Sequence, residues 1–126
     1  MRIRISWDKA EAFAVLNDTS TAKKVFDGLP CSSTADTLGE EVYFTIPVRA
    51  KIKPDAQQVV PPGTICIWVQ GRSLAIPFGP TPISRGDECR LVTKVNVPGK
   101  LEGDSRVLKS VQDGDEIRVA VASFPS

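Results

Sequence analysis

The chain has 126 residues, with 16 lysines and arginines against 15 aspartates and glutamates. That is the length of one domain burying roughly 65–70% of its unfolded surface, with a net charge of only +1, too little to drive counterion-release binding to nucleic acid. Histidine is absent, which excludes Ser-His-Asp and Cys-His nucleophilic designs and removes the commonest transition-metal ligand.

The N-terminus reads as a hairpin. Arg2–Ser6 alternates, Trp7-Asp8-Lys9-Ala10 turns, and Glu11–Asn17 returns with Phe13 and Val15 on one face. Arg2 and Arg4 read as the solvated side of an edge strand. Asp18, Thr19 and Ser20 offer N-cap oxygens to a helix whose apolar stripe is Ala22, Val25, Phe26 and Leu29, ended by Gly28 and Pro30. Residues 31–40 are polar and read as a surface loop closing at Gly39. The next strand carries Val42, Phe44, Ile46 and Val48 on one face and Tyr43, Thr45 and Pro47 on the other, with pairing expected to continue through Ala50 and Ile52.

Pro61-Pro62-Gly63 turns into the strand Thr64–Val69, and Gln70-Gly71-Arg72 reverses into Leu74–Phe78. Gly79–Glu88 holds Pro80 and Pro82 one residue apart, and fixed φ at both stiffens the loop. Leu91–Lys100 is mixed strand. Gly103-Asp104-Ser105 opens a second helix, buried through Val107, Leu108 and Val111 and stopped by Gly114. Glu116–Ala122 alternates with Ile117, Val119 and Val121 inward, and 123–126 is a tail. Many short strands, two helices and no βαβ rhythm predict a mainly β fold over 1–122, a closed antiparallel barrel or a sandwich with helical plugs.

Charged residues interrupt the apolar positions from Arg2 to Glu11, so no secretory leader is expected. The longest apolar run, Ile65 to Val69, is too short to span a bilayer. The three cysteines Cys31, Cys66 and Cys89 lack metal-type spacing. Reduced thiols in a cytoplasmic protein without metal or cofactor are the expectation.

Thr21-Ala22-Lys23-Lys24-Val25-Phe26 resembles the start of the first cyclophilin helix, and Val95–Gly103 is similar to the late cyclophilin strand that leads into the second helix. The chain also resembles a small prokaryotic family with a trimmed cyclophilin-like barrel and no firmly assigned activity. It does so through Trp7-Asp8, Leu16-Asn17-Asp18-Thr19, Gly39–Phe44, Val95-Asn96-Val97 and above all Phe78–Glu88. The resemblance covers residues 1–122 and implies a closed antiparallel cyclophilin-like barrel with two short capping helices.

Cyclophilins isomerise prolyl bonds by geometry, lowering a barrier of about 18–20 kcal/mol with an arginine against the amide. In the matching strand Thr45 stands where that arginine belongs, no aromatic appears near Leu74 until Phe78, and the histidine falls near Val95. The resemblance therefore implies the shape of the groove without its cation, and no catalytic residue is assigned.

The candidate ligand-binding set is Tyr43, Thr45, Trp68, Phe78, Thr81, Ser84 and Arg85: aromatic surface, hydroxyls, and a guanidinium to anchor an anion. Each has a structural alternative. Trp68 and Phe78 could be core, Thr81 and Ser84 could satisfy turn amides, and Arg85 could pair with Asp87 or Glu88. The expected function is non-catalytic binding of a small anionic ligand or a peptide beside 79–88, by a monomer or homodimer. The alternatives are a divergent prolyl isomerase using Arg72, Arg85 or Arg90, and a protein-interaction module. An acid-base pair of Glu40 and Glu41 with Tyr43 is disfavoured, because neighbouring carboxylates leave a strand on opposite faces.

Overall fold

The computed structural model describes residues 1–125; the last residue of the expected tail lies outside them. Ten strands run in the order β1 (Arg2–Ser6), β2 (Glu11–Leu16), β3 (Cys31–Thr34), β4 (Asp36–Thr37), β5 (Glu41–Thr45), β6 (Gln57–Val60), β7 (Thr64–Trp68), β8 (Ser73–Pro77), β9 (Cys89–Leu101) and β10 (Glu116–Ala122). Helix α1 (Ser20–Asp27) follows β2, and a 3-10 helix (Ser105–Ser110) follows β9. The sheet order is β3-β10-β1-β2-β9-β7-β8-β5-β4, with β6 attached to β9.

The expected closed barrel is corrected to a rolled sheet with a seam. Its terminal strands β3 and β4 are consecutive in the chain, joined at Ala35. Ala35 accepts from Gly114 N at 2.9 Å and donates to Asp115 O at 2.8 Å, so its backbone is spent on the turn before β10 rather than across the seam. Residues 31–40 therefore hold two strands where a plain loop is expected. The second cap is also corrected, from a regular helix to six residues of 3-10 helix. Its Asp104 cap accepts from Arg106 N at 2.9 Å.

Alternation sorts the strands into two faces. Cross-strand rows such as Phe44–Leu74–Ile67 fill the inside of the roll. Ile3, Ile5, Ala12, Ala14, Ile76, Ile117 and Val119 join them, with Ala22 and Val25 of α1 and Leu108 of the 3-10 helix as plugs. On β2 the alanines face inward and Phe13 is left outside, where the Arg2 guanidinium lies 4.0 Å from its ring centroid. Nor is β1 an edge, since it pairs with both β10 and β2. Arg2 is held by Glu102 at 2.8 Å.

The expected pairing through Ala50 and Ile52 is replaced by a side-chain clamp. Asn96, 3% exposed, accepts from Lys53 N and donates to Lys51 O and to Thr21 Oγ1, fastening this segment and α1 to β9. Ile46 and Val48 still point into the core beyond the end of β5.

Candidate functional site

The outer face of β5, β8 and β7 carries the row Tyr43–Ala75–Cys66 and beside it the row Thr45–Ser73–Trp68. The N-terminal half of β9 leaves the main sheet and pairs with β6, through Val60↔Cys89 and Val59↔Arg90. This ribbon folds over the outer face and makes a second apolar cluster of Val60, Cys66, Ala75, Cys89, Leu91 and Val95, with Tyr43, Trp68 and Val97 at its border. The layer does not close completely. A hollow of about 220 Å³ remains between Leu38, Glu41, Tyr43, Trp68, Ala75, Leu91, Val92 and Val95.

Its walls are aliphatic and aromatic apart from the Tyr43 phenol and the Glu41 carboxyl. Glu41 stands two residues before Tyr43 on β5 and shares its face. Its side chain is only 6% exposed, and Oε1 has no hydrogen-bond partner. Burial pushes its pKa from 4.5 to about 7, because the apolar surroundings penalise the charged form. The Cys66 and Cys89 thiols behind the wall are pushed up as well, by burial first, then by the Glu41 charge at Cys66 and by Glu40 and Glu41 at Cys89. Such thiols pack as small hydrophobes and are poor nucleophiles. Tyr43 is raised by burial and then by Asp36, Glu41 and Asp113. Among the described residues no group of three or more His, Cys, Asp or Glu could hold a metal, and no helix is long and apolar enough to cross a membrane.

Of the seven residues expected to bind ligand, Tyr43 and Trp68 line this hollow. Thr45 is exposed on the same outer face, in the Trp68 row. Phe78 packs against the main core. Thr81 and Ser84 are occupied inside the rigid loop: Ser84 Oγ accepts from Thr81 N at 2.9 Å and from Arg90 N at 3.2 Å, while Thr81 Oγ1 donates to Arg90 O. Arg85 is exposed, and only its backbone N–H reaches Glu88, at 3.1 Å. The Glu88 carboxylate pairs instead with Arg90 Nε at 2.6 Å, which holds its pKa below the usual range.

The loop therefore borders the site without lining it. Pro80 O accepts from Glu40 N at 2.9 Å, and Phe78 N donates to Glu40 O at 2.8 Å, which sets the strand start from which Glu41 faces the hollow. Glu40 itself lies over Gly79, on the other side of the strand from Glu41. The hollow is also lined by Leu38, Glu41, Ala75, Leu91, Val92 and Val95, which the sequence does not single out as candidates. The legible signal was parity: Glu41 shares the odd-numbered face of Tyr43 and Thr45.

A rolled antiparallel sheet with short helical plugs places the chain among the cyclophilin-like β proteins. It belongs to the cyclophilin-like family, whose model matches residues 1–120. The chain is similar to the hypothetical protein AF2241 from Archaeoglobus fulgidus, known as a solution structure, at 34% identity and a TM-score of 0.82, covering 97% of this chain and 95% of that one. No curated protein matches it.

Proposed function

We propose that the protein is a non-catalytic binder that holds a small molecule, or one side chain of a peptide, in the hollow on its outer face. The supporting observation is Glu41 Oε1, a buried polar atom without a partner in a cavity whose walls are mostly apolar. An unmet polar atom of this kind costs about 1–3 kcal/mol, a cost that a bound donor removes. A 150 Å³ apolar cavity takes benzene, so about 220 Å³ suits a ring with a short tail. Ligands of full drug size need roughly 300 Å³ or more.

An anionic ligand, the expectation built on Arg85, fits less well. The charged side chain lining the hollow is an acid, and Arg85 stands outside it. Prolyl isomerisation lacks support for a related reason, since the lining residues include no guanidinium. A larger groove of about 490 Å³ between Val15, Gln57, Thr64 and Lys100 is open and contains no orphaned polar atom.

The test is an amide-resolved NMR screen of a fragment library, with a protease-coupled assay on an X-Pro peptide beside it. The expected result is hits that shift Tyr43, Leu91, Val95 and the Trp68 indole, with no isomerisation above background. Hits confined to the 490 Å³ groove, or a rate that collapses on Arg72→Ala or Arg85→Ala, would reverse the reading.

A further inference from the structure

The hollow has a sign as well as a shape. Asp36 stands directly opposite Tyr43 across the β4–β5 pair, on the same outer face. The Asp113 carboxylate is fixed beside it by Thr37 N at 2.7 Å and Thr37 Oγ1 at 2.9 Å. Behind the wall the Cys89 thiol feels Glu40, Glu41 and Asp87. The Tyr43 phenol on the wall and the Cys89 thiol behind it thus have acidic side chains as their charged neighbours. None of the lining side chains is a lysine or arginine.

We infer that the hollow takes an organic cation, an ammonium on an apolar stem, with Glu41 Oε1 as its direct counter-ion and Tyr43 and Trp68 against the stem. This deepens the binding role proposed above and rests on it. Three observations meet here. Glu41 is 6% exposed with an unpartnered Oε1; the side chain opposite its neighbour Tyr43 is the carboxylate of Asp36, with no lysine or arginine in the lining; and aromatic faces attract cations electrostatically. A neutral donor would satisfy Oε1 but would leave the charge unopposed in a low-dielectric site. A carboxylate ligand would add to the repulsion.

The pH dependence follows from the same group. Protonated Glu41 offers no charge, and its pKa of about 7 places its ionisation between mildly acidic and mildly basic conditions. The titratable groups that sense Glu41 are Tyr43 on its own strand, Cys66 on β7 and Cys89 on β9, all raised and so neutral over that range. Asp36 and Asp113 act on Tyr43, Glu40 and Asp87 act on Cys89, and the shift of Glu41 itself comes from burial.

The experiment titrates the whole chain with phenethylamine, 2-phenylethanol and phenylacetate, three ligands of one shape and three charges, followed by NMR at about pH 8, where the amine is protonated and Glu41 ionised. The amine should bind about tenfold or more tighter than the alcohol, with phenylacetate weakest, and should weaken as the pH is lowered to about 5.5. In Glu41→Gln the preference for amine over alcohol should vanish while the alcohol's own affinity stays within about threefold.

Nα-acetyl-lysine methylamide, run beside phenethylamine, tells a peptide-borne ammonium from a free amine by which binds more tightly. Alcohol or phenylacetate matching the amine in the wild-type protein overturns the cation assignment and leaves the binding site standing. An unchanged amine affinity in Glu41→Gln overturns the assignment too. If none of these probes moves Tyr43, Trp68, Leu91 or Val95, the assignment falls together with the site.

Discussion

Replacing Glu41 by glutamine keeps the shape of the side chain and removes its charge, so it isolates the cost of ionising a carboxyl in the hollow. A folded-state value of about 7 against an ordinary 4.5 corresponds, at about 1.36 kcal/mol per tenfold, to about 3 kcal/mol. The sign is set by the folded protein holding the proton more tightly than the unfolded chain. Stability from this group is full below about pH 4.5, falls as pH rises toward about 7, and stays low above that. The protonated acid and the amide both present one donor group and one carbonyl, so at about pH 4 the substitution should be nearly neutral. At about pH 8 it should stabilise the ligand-free protein by about 2–3 kcal/mol.

Urea unfolding of both proteins at the two pH values measures the difference directly, and other titrating groups cancel in the comparison. An equal effect at both pH values would refute the reasoning. So would a Gln variant less stable than wild type at about pH 8, since that would mean the carboxylate has a partner it gains from.

Other substitutions test the surroundings. Ser84→Ala strands the Thr81 and Arg90 amides that its hydroxyl serves, so it should cost about 1–3 kcal/mol and speed hydrogen exchange at both. Loss of phenethylamine binding without loss of stability would instead return Ser84 to the binding site. Asn96→Ala leaves Lys53 N, Lys51 O and Thr21 Oγ1 unmet; a loss of about 2–4 kcal/mol in urea unfolding is expected, and a change below about 1 kcal/mol would deny the clamp. Gly71→Ala would set a Cβ 2.2 Å from Trp68 Cε3, so the indole must leave its place on the cavity wall. A red shift in tryptophan emission and weaker phenethylamine binding should follow, and an unaltered spectrum would contradict the packing.

The first strand and the C-terminal strand were readable because Arg2–Ser6 and most of Glu116–Ala122 alternate, although Val121, expected inward, is exposed. The first helix was readable through its Thr19 cap, whose hydroxyl accepts from Ala22 N. What escaped was the second layer. Gln57–Val60 runs between polar residues and prolines and carries little pattern of its own, so the ribbon it makes with β9 was invisible. The unbroken apolar run of β7 was its one trace, because a strand buried on both faces loses alternation. Without the ribbon, Tyr43 and Trp68 could be placed on an outer face, but Glu41 could not be seen to be buried there. Cys31–Thr34 escaped for a related reason: its polar residues become a strand only because β10 supplies the partner edge.

Following the Glu41 side-chain carboxyl by carbon NMR across a pH titration tests the binding hollow most directly, first alone and then with phenethylamine. The carboxyl should titrate near 7 in the free protein and move clearly lower when the ammonium sits against it. A midpoint close to the ordinary 4.5, unmoved by the amine, would mean that Glu41 is neither buried without a partner nor facing a cation.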